Sequence, residues 1–461
     1  MDDPLGYPSY AVQFDSYTGP SGSSSISRSA GMFANFNYSW DNRYLIDLTG
    51  RIDGSSNFAS KQRSAPFWSA GVRWNIYNEK FMKTHGWFEN LAVRANIGTV
   101  GNQNFQLSQI MTLYNFLKMY DGVMGAEIMS IANPELKWQT TLNRNIGLEF
   151  SLLQGLVNLD FNYYSNITKN NLTDIAILPS TGFSTYKANM GKVRNQGYEF
   201  SLSITPIKKN GWIVNAFVNG AHNKNKLLNI SDALRDYNEV IKENQTAHLN
   251  YAGYTQLERI FLFEEGQSLN SIFAVRSMGI DPGTGQEIFV TADGVQTFQW
   301  NAADQVVVGN TEPTLKGYFG LNVDYKRWSF GANFQYSFGA DRYNKTLYEK
   351  IEGGNFAQNA DRRALTQRWT KPGDVAKYRG YGNTSQLKPT SRFVQKDDFL
   401  SMTSARLSYT LNANDLQSLG ISLLKFTLST NDLFYVSTIK QERGLSYPFA
   451  RTFYFSLQAN F

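Results

Sequence analysis

The fold class is decided by Met32-Phe-Ala-Asn-Phe-Asn-Tyr-Ser-Trp40, followed after Asp41-Asn42 by Tyr44-Leu-Ile-Asp-Leu-Thr-Gly-Arg-Ile-Asp53. In both halves, apolar or aromatic side chains largely alternate with polar ones. Alternation with a period of two indicates a β-strand with one apolar face and one polar face. Because short polar residues are typical of tight hairpin connections, we predict an antiparallel hairpin with a two-residue turn at Asp41-Asn42.

The same period continues to the end of the chain, in about 13 segments of roughly 8 to 11 residues. That length suits strands that cross a bilayer at a tilt, whereas strands of soluble sandwiches are nearer to about 5 or 6 residues. We therefore predict an all-β, transmembrane antiparallel β-barrel. The segments lie at 32–40, 44–53, 68–76, 91–98, 142–152, 157–163, 198–204, 212–218, 319–325, 330–338, 405–411, 426–430 and 453–461.

The two faces of these segments differ in chemistry. Charged side chains on the polar face suit a water-filled or plugged lumen, because a dry sandwich core would not tolerate them. Aromatic residues at segment ends match the girdles at membrane interfaces. We predict as lumen-facing Arg51, Asp53, Arg73, Arg94, Asp160, Glu199 and Arg406; the predicted girdle residues include Trp40, Tyr44, Trp68, Tyr163, Tyr198, Trp212, Tyr325 and Trp328.

Short and long connections alternate along the chain, which is typical of outer-membrane barrels with periplasmic turns and extracellular loops. We expect residues 32–461 to form barrel strands and residues 1–31 to be an extracellular segment. The closing strand ends in the aromatic Phe461, as is typical of outer-membrane proteins. The predicted long loops are 54–66, 99–141, 167–196, 223–316, 339–403 and 432–450; the short connections are 41–42, 77–90, 154–155, 206–211, 326–327 and 412–424.

The strand count is odd, and it places the start of the first strand outside the cell. Single-chain barrels usually have an even count, and an unpaired strand edge cannot face lipid. We therefore expect a second polypeptide to supply the remaining strands. A miscount of one strand within 223–316 would overturn this expectation.

Composition excludes several other classes of protein. The 461 residues contain no Cys and only 3 His, which argues against disulfide frameworks and thiolate or histidine metal sites. The net charge of +6 is spread along the chain without the basic block of a nucleic-acid-binding protein. The N-terminus does not resemble a signal peptide, so either the chain is cytoplasmic or its leader lies outside this polypeptide.

No enzyme motif emerges, and we expect no metal site and no cofactor. The segment Asp281–Glu287 carries only two carboxylates, so a Pro-Gly turn is favoured over a calcium loop. Asp397 and Asp398 are adjacent and would point to opposite faces of a strand, so they cannot act as an acid–base pair there.

Eight stretches carry a family resemblance over most of the chain. They are 51–58 (RIDGSSNF), 98–103 (GTVGNQ), 133–141 (NPELKWQTT), 180–183 (STGF), 189–199 (NMGKVRNQGYE), 279–285 (GIDPGTG), 309–314 (GNTEPT) with Gly317, and 453–461. In this order they resemble the C-terminal barrel portion of SusC/RagA-type TonB-linked outer-membrane transporters of Gram-negative bacteria.

This resemblance implies a larger barrel of about 22 strands with a plugged lumen. The plug and the TonB box are expected on the missing portion, and TonB is expected to act through that portion. The resemblance also implies a SusD-like surface lipoprotein as a lid, with import of oligosaccharides or oligopeptides. A dimer of transporter–lipoprotein pairs is a further arrangement left open.

Aromatic residues of the long loops are candidates for binding the cargo, because their rings can stack on sugars or pack on peptide side chains. The alternative is that they pack the loops together or contact the lid. A passive porin or a surface barrel that only binds remains the alternative to active transport, and a soluble β-sandwich is disfavoured. The candidates are Trp138, Tyr254, Trp300, Trp369 and Tyr381.

Overall fold

A computed structural model describes most of the chain. The described residues are 26, 28–56, 63–82, 87–102, 112–120, 123–130, 133, 136–176, 183, 185–189, 191–232, 234–239, 262–354, 361–382, 387–412, 416, 420–440 and 450–461. Tyr254 and residues 1–25 therefore lie outside the described residues, together with the extracellular role expected for that first segment. Among the described residues, no helix has the length and the apolar character needed to span a membrane.

A single large antiparallel sheet dominates the structure. Its thirteen principal strands follow one another in sequence order, each paired with its neighbours along the chain, which confirms the predicted segments. The strands are β1 (Ser29–Trp40), β2 (Tyr44–Ser55), β3 (Ser64–Asn75), β4 (Phe88–Asn102), β5 (Gln139–Leu152), β6 (Val157–Lys169), β7 (Gly191–Lys209), β8 (Trp212–Ile230), β9 (Leu315–Tyr325), β10 (Trp328–Phe338), β11 (Phe399–Asn412), β12 (Leu423–Asn431) and β13 (Phe453–Asn460); a fourteenth, short strand, Tyr435–Ser437, also pairs with β11.

The first hairpin differs from the prediction by one residue. Trp40 pairs with Tyr44, so the connection has three residues, and the predicted two-residue turn is wrong. Asp41 and Asn42 both adopt positive φ, and the Arg43 amide donates to the Trp40 carbonyl at 2.9 Å. The extra residue keeps Trp40 and Tyr44 on the same face, because directly paired residues share a face.

The strands extend further towards the long connections than the alternation indicated. β7 and β8 have 19 residues each, and their two-residue turn is Asn210-Gly211, with both residues at positive φ. Pro206 lies at a register shift inside β7 rather than in a turn. The ladder continues because antiparallel hydrogen bonds do not require an apolar face. The six long connections are accordingly 56–63, 103–138, 170–190, 231–314, 339–398 and 432–452.

The outer face of the sheet is apolar and exposed. The register places Met32 opposite Ile52 and Phe36 opposite Leu48. Leu48 is 45% exposed and Ile52 is 58% exposed, as are comparable residues on the later strands. A contiguous apolar surface of this size needs an apolar environment, which a bilayer supplies.

Aromatic rings form a row at the ends of the strands that meet the short turns. Trp212 stacks on Tyr325 with ring centroids 4.1 Å apart, and Trp328 packs on Tyr409 at 4.7 Å. A second aromatic contact, between Tyr198 and His222, lies ten residues further along β8, from position 212 to 222. Ten residues span about 33 Å along a strand. At a tilt of about 45° this is about 23 Å of depth, close to the apolar band of a barrel.

The two outermost strands of the sheet order are β1 and β13. Every residue of β1 is exposed on both faces, and so is every residue of β13. In the described part of the chain, β1 and β13 are therefore the two principal strands of this sheet that have one edge without a paired strand.

The described parts of four long connections contain secondary structure of their own. The paired strands within them are Leu113–Tyr120 with Val123–Ser130, Leu172–Ala176 with Thr185–Asn189, Asp341–Tyr343 with Val394–Lys396, and a four-stranded sheet of Gln296–Thr297, Glu287–Val290, Ser271–Ile280 and Gln305–Asn310. Thr346–Glu352 is a π-helical segment and Arg362–Thr366 is a short α-helix; short 3₁₀ turns occur at Ala302–Asp304 and Ser391–Phe393. A further 3₁₀ turn, Ile76–Asn78, lies in the short connection after β3.

A loop core joins two of these connections. It is formed by Ile272 from one connection and by Tyr343, Tyr348 and Phe393 from the other, all buried. Burial raises the pKa of both the Tyr343 and the Tyr348 hydroxyl groups above the ordinary value. The described parts of connections 231–314 and 339–398 thus pack together, and we call them the loop body.

Replacement of Gly317 in β9 by alanine is expected to destabilise the sheet. An added Cβ would lie 2.0 Å from the Asn219 carbonyl oxygen and 2.8 Å from the Tyr336 hydroxyl, which donates to that same carbonyl. We expect Gly317→Ala to cost about 1 to 3 kcal/mol. The control is Gly50→Ala, where nothing lies within 4 Å of the added carbon. Thermal midpoints from heat-dependent gel mobility should fall only for Gly317→Ala; equal midpoints would contradict the packing.

Glu79 is expected to hold two short turns together in a pH-dependent way. Its carboxylate accepts hydrogen bonds from the Tyr44 hydroxyl at 2.6 Å and from the Trp74 indole at 3.1 Å, and the residue is only 8% exposed. The Tyr44 hydrogen bond, followed by that of Trp74, lowers the pKa of Glu79. A lowered carboxyl pKa gives stabilisation above the unfolded pKa that is lost as pH falls through the folded pKa.

Hydrogen exchange of the amides at Arg43 and Asn75 measures this contact. We expect protection at neutral pH and loss of protection in acid, and we expect Glu79→Gln to lose protection already at neutral pH. Glu89→Gln, at an exposed position near the start of β4, should leave the exchange of the Arg43 and Asn75 amides unchanged. If the protection factors of these two amides in the unaltered protein stay the same in acid as at neutral pH, the carboxylate contact is ruled out.

Candidate functional site

The inner face of the sheet carries a network of charged side chains, which we call the polar wall. Arg73 and Arg94 are cross-strand neighbours, and both donate to Glu149 of β5. The closest Arg73–Glu149 distance is 2.7 Å, and the closest Arg94–Glu149 distance is 2.5 Å. Arg94 also reaches Asp160 of β6 at 3.3 Å, while Asn162 donates to Asp160 at 2.5 Å. The carboxylate of Glu149 thus offsets the repulsion between the two positive charges of Arg73 and Arg94 on neighbouring strands.

The structure places the other predicted wall residues apart from this network. Arg51 donates to Asp53 at 2.6 Å within β2. Glu199 lies in β7 opposite Asn162, and Arg406 lies in β11 between Gly331 and Ser429. All have the strand parity predicted for the inner face. That they face the lumen of a closed barrel stays a prediction.

Two hollows open on the polar wall. The arginine hollow, with a volume of about 500 Å³, is lined by side chains that include Asp47, Arg73, Arg94 and Asn143. The tyrosine hollow, with a volume of about 570 Å³, lies further round the sheet; its polar lining includes Asp160, Glu199, Asn219, Lys316, Tyr318 and Gln335. The predicted residues Asp160 and Glu199 thus meet in one hollow, whereas Arg73 and Arg94 line the other.

The aromatic loop candidates are placed by packing contacts. Trp138 is 5% exposed and packs on Phe67 with ring centroids 5.9 Å apart, so its ring is covered in this conformation. The Trp300 indole donates to the Pro389 carbonyl at 3.2 Å, and the Trp369 indole donates to the Pro282 carbonyl at 2.8 Å. These contacts tie one long connection to another.

Tyr381 completes the described candidates. Its hydroxyl donates to the Ala364 carbonyl at 3.3 Å, and the Arg368 guanidinium lies 5.3 Å from its ring centroid. Each described aromatic candidate therefore has a structural contact, and the structure does not bring these four together in one site. Their role in binding cargo stays a prediction.

A buried ion network stabilises the loop body. Arg392 donates to Glu287 at 2.9 Å and also to Glu352, which in turn accepts from Arg379 at 2.8 Å. The two carboxylates raise the pKa of Arg392 against the opposing effect of burial. Arg368 caps the end of the π-helical segment Thr346–Glu352 by donating to the carbonyls of Ile351 and Glu352. Because Glu287 and Glu352 belong to different connections, the network holds those connections in one arrangement.

Asp281 belongs to a turn. Its carboxylate accepts from the Thr284 hydroxyl at 2.6 Å and from the Thr284 and Gly283 amides. The Thr284 hydroxyl has the largest effect in lowering the pKa of Asp281. The described residues contain no group of three or more metal-ligating side chains.

Three inner-face residues were not singled out as site residues by the sequence pattern, namely Glu149, Asn162 and Tyr318. Alternation already placed Glu149 and Asn162 on the polar face. Tyr318 lies one residue before the predicted segment 319–325, and extending the alternation by one residue would have placed it on the same face. Their partnership with Arg94 or with Gln335 depends on the register between strands, which turn length decides. The available signal was therefore the face of each residue and not its neighbours.

Glu352 is the residue whose loss is expected to disturb the loop body most. Its side chain is fully buried, so Glu352→Gln leaves Arg379 and one arm of Arg392 without their charged partner. Breaking a buried pair costs about 3 to 5 kcal/mol. Limited proteolysis should therefore cut residues 339–382 faster, with unchanged heat-dependent mobility of the barrel. Glu349→Gln, at an exposed site three residues earlier, is the matched control. Equal cleavage of both variants would contradict the network's role.

Comparison with known proteins shows what the chain is similar to. The family model described as TonB dependent receptor-like, beta-barrel, matches residues 2–255. TonB-dependent receptor P39 of Formosa agariphila is 28% identical over 427 residues, which are 84% of this chain and 40% of that relative. TonB-dependent receptor SusC of Bacteroides thetaiotaomicron is 27% identical over 348 residues, 71% of this chain and 33% of SusC.

A solved structure also has a fold similar to that of this chain. The structure of the RagAB peptide transporter matches with a TM-score of 0.77 and 26% identity, covering 90% of this chain and 44% of that chain. The chain therefore spans less than half the length of the relatives that it matches. The relatives are receptors and transporters rather than enzymes.

Proposed function

The chain belongs to the TonB-dependent receptor-like β-barrel family, and we propose that it is the wall of an outer-membrane importer for oligosaccharides or oligopeptides. The observation that carries the proposal is the thirteen-strand sheet, with an exposed apolar outer face and a charged, ion-paired inner face. SusC/RagA-type relatives are outer-membrane transporters of Gram-negative bacteria. The similarity to a peptide transporter supports the peptide class of cargo. The oligosaccharide class is what the resemblance to SusC/RagA-type transporters implies.

The orientation follows from the connections. We assign the short turns, with the Trp212–Tyr325 row beside them, to the periplasmic side. The folded long connections, with the loop core, then lie outside the cell. There they offer a rigid surface to a SusD-like lipoprotein lid, and dimers of such transporter–lipoprotein pairs are compatible with this placement.

Closure of the barrel requires further strands. The edges of β1 and β13 need hydrogen-bond partners in a bilayer, because unpaired backbone groups are costly there. We propose that a portion outside this sheet supplies these strands, the plug and the contact with TonB. The polar wall then faces the plug across the lumen.

Uptake with and without energy coupling tests the proposal. Cells that carry the complete protein would be given a mixed oligosaccharide and peptide digest, and depletion of each component would be followed by mass spectrometry. We expect some components to be depleted only when both this chain and TonB are present. A strain that carries the Gly50→Ala variant serves as a matched control, because it undergoes the same genetic manipulation without a structural effect. Depletion that persists without TonB would support a passive porin instead, and no depletion of any component would contradict import.

A further inference from the structure

The tyrosine hollow combines an aromatic ring with several hydrogen-bonding groups on rigid strands. Tyr318 of β9 is 46% exposed, on the inner face of the sheet. Its backbone is paired on one side with Asn219 and on the other with Gln335. In addition, the Tyr318 amide donates to the Asn219 side-chain oxygen at 3.0 Å. The position of the ring is thus set by two neighbouring strands rather than by a loop.

Carboxylates stand on the opposite side of the same hollow. Asp160 is held by Asn162 and by Arg94, so the charge network of the wall orients it. Glu199 is exposed in β7, one strand closer to Tyr318 than Asp160 is. Carboxylates accept hydrogen bonds from hydroxyl groups, and the Asn219 and Gln335 amides both donate and accept.

This combination favours a sugar ring over other polar ligands. A pyranose offers an apolar face of C–H groups for an aromatic ring and several hydroxyls that both donate and accept, which matches Tyr318 beside amides and carboxylates. The charged lining of the hollow consists of Asp160, Glu199 and Lys316, two carboxylates against one ammonium, and this excess of negative charge disfavours an acidic sugar. An extended peptide would bind best by adding a strand, but the backbone on both sides of Tyr318 is already paired.

We propose that the tyrosine hollow is a lumenal subsite for one or more residues of a neutral oligosaccharide. Tyr318 provides the stacking surface, Gln335 and Asn219 provide amide contacts, and Glu199 accepts from hydroxyl groups. This inference rests on the proposed import function, and it narrows the cargo to one class and places it on this wall.

Binding of the complete, detergent-solubilised protein to an array of neutral and acidic oligosaccharides tests the inference, with a tryptic peptide digest as a separate probe. We expect at least one neutral oligosaccharide to bind. For that ligand, Tyr318→Ala should weaken binding about tenfold, because stacking on the ring is lost. Tyr318→Phe, which retains the ring, should bind within about threefold of the unaltered protein.

A matched control separates the subsite from a general effect on the wall. Tyr454 of β13 is also exposed and has the inner-face parity, but it lies four strands away from Tyr318 in the sheet order. Tyr454→Ala should leave binding unchanged. Heat-dependent gel mobility of every variant reports whether the barrel is intact.

Each remaining outcome overturns the inference. Binding of acidic oligosaccharides alone, of peptides alone, or of nothing would remove the neutral-sugar assignment. Neutral-sugar binding that Tyr318→Ala leaves unchanged would place the sugar elsewhere, for example because the plug covers the hollow. In the peptide case, TonB-dependent depletion of peptides by cells would still support import, so failure of the subsite is distinguishable from failure of the proposed function.

Discussion

Backbone hydrogen bonding in a medium without water is the constraint on which the rest of this structure depends. In the hydrocarbon region, each N–H and C=O group needs a partner within the protein. An antiparallel ladder that passes from each strand to the next meets this need for every strand except the two at the ends. The alternation of faces, the rows of aromatic rings and the length of the strands all follow from a sheet that must cross a bilayer. The same constraint makes the outer edges of β1 and β13 the incomplete part of the structure.

The two faces of the sheet and its long connections differ in chemistry and packing. The outer face is apolar along β2, where Leu48 and Ile52 are exposed. On the inner face, Arg73 and Arg94 both pair with Glu149. The long connections form a separate body through the Glu287–Arg392–Glu352 network. Rigid strands therefore present the hollows, while a second packed layer covers one end of the sheet.

Much of the fold was predictable from the sequence, because period-two alternation depends only on each strand itself. It placed Tyr198, Trp212 and Tyr325 correctly in strands, and the odd strand count agrees with the sheet. It did not predict the outer halves of β7 and β8, where polar residues such as Asn195 and Asn225 occupy the strands without the apolar alternation. The three-residue hairpin at Asp41 was missed because turn length depends on backbone conformation.

The candidate site was predictable only in part, because its contacts are not local. The inner-face parity of Asp160 and Glu199 followed from alternation, but their meeting in one hollow required the register of several strands. Arg392 and Glu287 are 105 residues apart, and no local pattern indicates their pairing.

The central claim is that β1 and β13 are joined by strands outside this sheet. The chain has no cysteine, so cysteines introduced at Ala34 and Leu457 would be the only two in it. With a short bismaleimide crosslinker applied to the complete membrane protein, the account predicts no link between these positions, whereas cysteines at the paired positions Ala34 and Gly50 should link. A link between Ala34 and Leu457 as efficient as the control would show that the thirteen strands close on themselves and would contradict the account.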